Sequence, residues 1–257
     1  MIFKTRNIDR AVDQLHDFGY KNLIVSGCSF TYNNSDEHVC AWPYYLRDIG
    51  GFETVLDSSL PGAGNAHIAN SLKWAIEIDQ PAPEDSLVIV MWSGNNRDDC
   101  IIPADSLNSY AFKFLYSKHV ASGITGGNHD GARSNINDFQ QPTKSKESRA
   151  IENYLHIVST YHYLQSKNYR FVFLNYCERD LVTLAHDFEI FPYLPVSARK
   201  KLKSIVTDTV DLYKWAAGHN DLYTDQFHAN TESHLTWTRQ ILLPTLKNLN
   251  IDQNRSL

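Results

Sequence analysis

The segment Asn22-Leu23-Ile24-Val25-Ser26-Gly27-Cys28-Ser29-Phe30-Thr31-Tyr32-Asn33 decides how the rest of the chain is read. Leu23-Ile24-Val25 is a short apolar run closed by small residues, the pattern of a buried strand. Gly27 permits a sharp turn at its end, which sets the hydroxyl of Ser29 at the strand's carboxyl edge. In open α/β sheets ligands bind along that edge. A serine in an ordinary strand-to-loop turn carries the same local signature, so the remainder of the chain has to separate the two.

Upstream, Asn7 reads as the cap of a helix with Ile8, Ala11, Val12, Leu15 and Phe18 at helical spacing and Gly19 as its stop. Downstream, Trp42-Pro43-Tyr44-Tyr45-Leu46 opens a helix, since proline is tolerated in a first turn, and Gly50-Gly51 ends it. Residues 53–57 form a second strand. The turn-rich Ser58 to Asn65 follows, then a helix with Ile68, Leu72, Ala75 and Ile76 on one face. Residues 86–92 are nearly all apolar, as expected of a strand covered on both faces.

Periodicity fails from about Asp98 to Glu147, apart from a helix predicted over 109–120. A stretch of this length inside one domain reads as an inserted loop or lid. Regularity returns with Ile151, Tyr154, Leu155, Val158 and Tyr161 on one helix, and 170–175 reads as another strand. One long helix is expected over 197–217, with Leu202, Ile205, Val206, Leu212 and Tyr213 inward, and a short strand over 221–224. The last helix starts near Thr231, and Pro244 should kink or restart it. Strands alternate with helices throughout, which calls for a mostly parallel sheet covered on both sides. The expectation is one domain over 1–257: a three-layer α/β/α fold around a flavodoxin-like sheet of about five strands, with an insertion at about 98–147.

The bulk properties exclude several classes. The formal net charge is -5 with no basic stripe, so no nucleic-acid surface is indicated. No stretch reaches the roughly 20 apolar residues needed to span a bilayer, and the first ten residues are too charged for the core of a signal peptide. A cytoplasmic protein with no membrane insertion is expected. Cys28, Cys40, Cys100 and Cys177 are far apart, which argues against a zinc knuckle or disulfide framework. With no metal-ligand cluster or nucleotide loop in the pattern, no cofactor is implied.

Chemistry is suggested by four places. Asp225-Gln-Phe-His228-Ala-Asn230 puts a carboxylate three residues before an imidazole. At that spacing the carboxylate can fix the tautomer while the other ring nitrogen faces a nucleophile. Such a pair supplies the base and orienter that a strand-end Ser29 lacks. Pro61-Gly62-Ala63-Gly64-Asn65 opens a helix, so its amides can point at developing negative charge. Trp92-Ser93-Gly94-Asn95-Asn96 ends the third strand with a side-chain amide. Taken singly, these are also what a glycine turn, an asparagine-rich cap and a surface histidine look like.

Together and in this order they resemble the four signature blocks of the SGNH (GDSL-type) hydrolase family. Gly27-Cys28-Ser29 resembles its Gly-Asp-Ser block, Pro61-Gly62-Ala63-Gly64 its glycine block, and Ser93-Gly94-Asn95-Asn96 its Gly-x-Asn-Asp block. Asp225 to Asn230, with Ser233, His234 and Trp237 after it, resembles its Asp-x-x-His-Pro-Asn ending. The resemblance implies Ser29 as nucleophile, His228 as general base and acid, and Asp225 as its orienter. The implied oxyanion donors are the amides of Ser29 and Gly62 and the side chain of Asn95.

Three departures stand out. Cys28 replaces the family's aspartate and is thereby a rival nucleophile. Ser93 stands where glycine is usual, and a literal Gly-x-Asn alignment selects Asn96 over Asn95. Ala229 replaces proline. The implied activity is hydrolysis of a small ester, O-acyl or O-acetyl on a carbohydrate, through an acyl-enzyme. Lipase, thioesterase or acyltransferase activity is the alternative within the family, and a catalytically silent glycan-binding module the alternative outside it. Tyr32, Trp42, Trp92 and Phe227 lie near the blocks, to stack on sugar rings or to fill the core. The oligomeric state is left open.

Overall fold

The computed structural model describes residues 16–32, 40–93, 99–103, 122–126, 146–175, 196–207, 212–218, 229–249 and 251. Among the described residues, four parallel strands form the main sheet: β1 (Asn22–Ser26), β2 (Thr54–Asp57), β3 (Ser86–Trp92) and β6 (Arg170–Asn175), in the order β2-β1-β3-β6. Chain order reverses between β1 and β3, since β2 lies on one side of β1 and β3 on the other. That is the switch point at which α/β sheets open a crevice. Val25 pairs with Asp57 and Ile89, and Trp92 pairs with Asn175, so the strands end along one carboxyl edge.

Every residue of β3 is buried, which accounts for its unbroken apolar run Leu87-Val88-Ile89-Val90-Met91-Trp92. Helices α1 (Trp42–Gly50), α2 (Asn65–Asp79) and α3 (Lys146–Ser166) follow, with α4 (Val196–Ile205), α5 (Leu212–Ala217), α6 (Thr231–Trp237) and α7 (Leu243–Asn248) completing the set. They pack in two groups, α1 with α6 and α2 with α3, giving the three layers expected. Trp42 of α1 meets Trp237 of α6 edge-on at 6.2 Å, and Trp92 meets Phe173 edge-on at 5.2 Å. All four rings are fully buried, and such contacts add about 0.5–1.5 kcal/mol each to their burial.

Several elements depart from expectation. The insertion contains a two-stranded antiparallel ladder, β4 (Asp99–Pro103) against β5 (Ser122–Gly126), with Ile101 opposite Ile124. Pro103, Gly123 and Gly126 hide the alternation that marks a strand. The helix expected over 109–120 and the strand over 221–224 lie outside the described residues, as do residues 7–15 of the helix expected from Asn7 to Phe18. Its described end, His16 to Phe18, is not helical, because the His16 and Phe18 amides bond the Ile49 and Gly50 carbonyls instead.

The single helix expected over 197–217 is two. Between α4 and α5, Val206 leaves helical geometry to pair in parallel with Phe173, and the Thr207 amide bonds the Phe173 carbonyl at 2.8 Å. Among the described residues β6 is the outer strand, and its carbonyl at Phe173 outbids helix continuation there. On α3 the buried stripe is Asn153, Ile157, Thr160 and Leu164, whereas Leu155, expected inward, is 56% exposed. Thr160 is admitted to the core because its hydroxyl bonds the His156 carbonyl at 2.8 Å. The last helix is interrupted before Pro244: a π-helical turn over Thr238–Leu242, with the Leu243 amide bonded to the Thr238 carbonyl, separates α6 from α7, whose first turn holds Pro244. Widening the turn is one way to relieve the clash a proline makes with the preceding turn.

Candidate active site

Immediately after β1 the chain folds into a tight turn. The amides of Thr31 and Tyr32 both bond the Cys28 carbonyl, at 2.9 and 3.0 Å. The turn requires Gly27: a Cβ there would overlap the side chain of Thr31 and lie 3.2 Å from the Met91 carbonyl of β3. The two residues after Gly27 face opposite environments. Cys28 is 0% exposed within the hydrophobic core, whereas Ser29 is only half-buried. Burial thus removes the rival thiol from reach and leaves the serine at the rim.

The second block lies against the first. The amide of Leu60 bonds the Gly27 carbonyl at 3.1 Å, the Ser58 amide bonds the Val25 carbonyl at 2.9 Å, and the Ala63 amide closes a turn on Leu60 at 3.1 Å. Gly62, inside that turn, has φ 79°, a left-handed conformation that glycine adopts without strain. Ser29 and Gly62 are therefore brought to one rim by backbone bonds between their loops.

Asn95, the alternative Asn96, Asp225 and His228 lie outside the described residues; Ser93 before the first pair and Ala229 after the second are described. Ser93, fully buried, is held by Asn65 of α2, which bonds its amide at 2.8 Å and its carbonyl at 3.0 Å. After residue 228, Ala229 is buried and Asn230 caps α6, its Oδ1 accepting from the Ser233 amide at 2.9 Å. His234 Nδ1 accepts from the Trp42 amide at 3.3 Å, tying α6 to the start of α1.

Three further residues carry charge or titrate here, and none was singled out from the sequence. Asp57 ends β2, and its Oδ1 accepts from the Ser59 amide at 2.9 Å and the Ser59 hydroxyl at 2.5 Å. The residue is half-buried but its carboxyl is enclosed, and burial pushes it up to about 6 against the hydrogen bonds from Ser59 and Tyr44. His67, in the first turn of α2, is 2% exposed, and burial lowers its pKa to about 4. Asp99, the first residue of β4, accepts from the Gly64 amide at 2.8 Å and the His67 amide at 2.7 Å. The strand-strand-helix order signals this edge, but partners so distant in sequence leave no local pattern.

Among the described residues, the buried side-chain atoms without a hydrogen-bond partner are Thr31 Oγ1, Trp42 Nε1, both ring nitrogens of His67, Trp92 Nε1, Ser93 Oγ and Asn175 Oδ1. All belong to strand ends, the turn after β1 or the first turns of α1 and α2. Unpaired buried polar groups are rare in a settled core, so their gathering along this edge sets it apart from the apolar interior. Of the four rings considered for sugar stacking, Trp42 and Trp92 belong to the core, Tyr32 is half-buried, and Phe227 lies outside the described residues.

No family model matches the sequence, and no curated protein matches it. Among solved structures, the chain is similar to YxiM of Bacillus subtilis, with a TM-score of 0.51 and 12% identity over 90% of this chain and 57% of that one. Looser similarity reaches the psychrotrophic esterase EstA of a Pseudoalteromonas species, with a TM-score of 0.47 and 10% identity over 89% and 98% of the two chains. A protein assigned to the G-D-S-L lipolytic family from Desulfitobacterium hafniense gives 0.45 and 13% over 85% and 96%. At such identities the likeness is one of fold: a parallel sheet between two helical layers.

Proposed function

We propose that this chain is a serine ester hydrolase of the SGNH (GDSL) type. The observation that carries the proposal is the joining of the Ser29 turn to the Gly62 loop through the Leu60–Gly27 backbone bond, at the switch point of the sheet. Ser29 attacks the ester carbonyl while His228, oriented by Asp225, takes its proton and returns it to the leaving alcohol. The oxyanion rests on the amides of Ser29 and Gly62 and on the Asn95 side chain. Water then attacks the acyl-enzyme by the same route and releases the acid. The order of blocks along the chain and the half-buried Ser29 support this reading.

For the substrate we propose a short O-acyl ester. A carbohydrate alcohol is favoured by Tyr32 at the rim, while the burial of Trp42 and Trp92 removes two of the rings considered for sugar stacking. Three experiments test the proposal. Fluorophosphonate should label the wild-type chain at Ser29 and leave Ser29→Ala unlabelled. Across p-nitrophenyl esters from acetate to palmitate, turnover should fall as the acyl chain lengthens. Turnover should also rise as pH passes through the titration of His228, because only neutral imidazole acts as base. Retention of most turnover by Ser29→Ala would refute the assignment, and absence of both labelling and turnover would favour a silent binding module.

A further inference from the structure

Helix α2 begins without a capping side chain of its own: its N-cap is Gly64, and no side-chain cap is made from that position. The first four amides of a helix have no partner within it. Asp99 supplies the missing acceptors from 35 residues away, its Oδ1 taking the Gly64 amide at 2.8 Å and its Oδ2 the His67 amide at 2.7 Å. One carboxylate thus covers the N-cap and third-residue amides, which a local capping box would divide between two side chains.

The same contact explains Gly64. Its φ of -88° and ψ of 178° suit any residue, so conformation does not demand glycine. Space does, because a Cβ would stand 2.7 Å from Asp99 Oδ2 and 2.9 Å from its Cγ and Oδ1. Gly64 and Asp99 are a matched pair. Two residues before Gly64 stands Gly62, whose loop is fixed on its other side by the Leu60–Gly27 bond. Asp99 is also the first residue of the inserted ladder β4–β5.

We infer that Asp99 is a positioning residue for the reaction: by clamping the first turn of α2 it holds the Gly62 amide on the oxyanion and couples the inserted ladder to the catalytic rim. The inference rests on the serine-hydrolase proposal. Asp99 touches no reacting atom; it acts through the 62–64 backbone.

The test compares Asp99→Ala, Asp99→Asn and Gly64→Ala on p-nitrophenyl acetate, with rates expressed per site titrated by fluorophosphonate. Losing an oxyanion donor outright costs about 10²–10³ in kcat. A donor that is merely loosened should cost less, so Asp99→Ala is expected to lower kcat by roughly tenfold, with KM within about twofold. Asp99→Asn, which keeps one acceptor, should fall between. Inhibition by a trifluoromethyl ketone, which forms a tetrahedral oxyanion, should weaken in parallel with kcat. Inhibition by the product acid should not. Gly64→Ala should lower kcat in the wild-type background and add little in Asp99→Ala, since residues in contact are non-additive.

A purely structural cap would lower the melting temperature while leaving kcat per titrated site unchanged, and that result overturns the inference. So would additive effects of Gly64→Ala and Asp99→Ala. If Asp99→Ala is fully active while Ser29→Ala is dead, this inference fails and the esterase proposal stands. Turnover that persists in Ser29→Ala sinks both.

Discussion

Asn65 and Ser93, 28 residues apart, are joined by a pair of buried hydrogen bonds between one side-chain amide and one backbone unit, at 2.8 and 3.0 Å. The pair does at the end of β3 what a neighbouring strand does along its length. It satisfies both backbone groups of Ser93 just where the chain leaves the sheet for residue 94.

Asn65→Ala leaves that amide and carbonyl buried without partners. Each unmade bond of this kind costs about 1–3 kcal/mol, so the variant should lose about 2–6 kcal/mol in urea unfolding with little change in slope. On the proposed assignment its hydrolytic rate should drop as well, because Ser93 stands two residues before Asn95, the proposed oxyanion donor. A variant as stable as wild type would contradict the clamp.

Cys28, 0% exposed, should resist iodoacetamide in the native state and react after unfolding in denaturant. Cys28→Ala should cost on the order of 1 kcal/mol in stability, the usual scale for a small core change, and keep fluorophosphonate labelling at Ser29. Fast alkylation of the folded protein with loss of turnover would make the thiol the nucleophile after all.

Asp57 and His67 should tilt stability in opposite directions with pH. Asp57 titrates near 3.8 in an unfolded chain and near 6 in the fold. The folded state therefore binds more protons between those values, and stability falls as pH rises across them. His67 titrates near 6.5 unfolded and near 4 folded. The unfolded state then binds more protons in that window, and stability falls as pH drops through it. Asp57→Asn should gain of order 2 kcal/mol at pH 7.5 relative to its effect at pH 3.5. His67→Gln should show its relative gain at pH 4 over pH 7.5. Melting curves at three pH values check both, and parallel curves for wild type and variants would refute the shifts.

The stripe on α3 separates two neighbouring aliphatic residues. Ile157→Ala should cost about 2–5 kcal/mol, since Ile157 is 0% exposed in the core. Leu155→Gln should stay within about 0.5 kcal/mol, as surface substitutions do. Equal losses would mean the helix is rotated.

What the linear chain determined by itself is whatever depends on residues within a turn of one another. The apolar runs of β1, β3 and β6, the helix stop at Gly50-Gly51 and the left-handed Gly62 are of this kind, and they suffice for a parallel sheet between two helical layers. They also suffice to set Ser29 and Gly62 at its carboxyl edge. Tertiary structure decided which of two adjacent side chains, the Cys28 thiol or the Ser29 hydroxyl, is sealed away, because that depends on what packs over Cys28. It decided the stripe on α3, where Thr160 enters the core by bonding its own helix, and the break at Val206, where an open strand edge offered a partner. It also set the pairs Asn65–Ser93 and Gly64–Asp99, which join chain segments 28 and 35 residues apart. A hydrogen bond across that separation imposes no spacing on either segment, so it exists only once the sheet has brought their ends together.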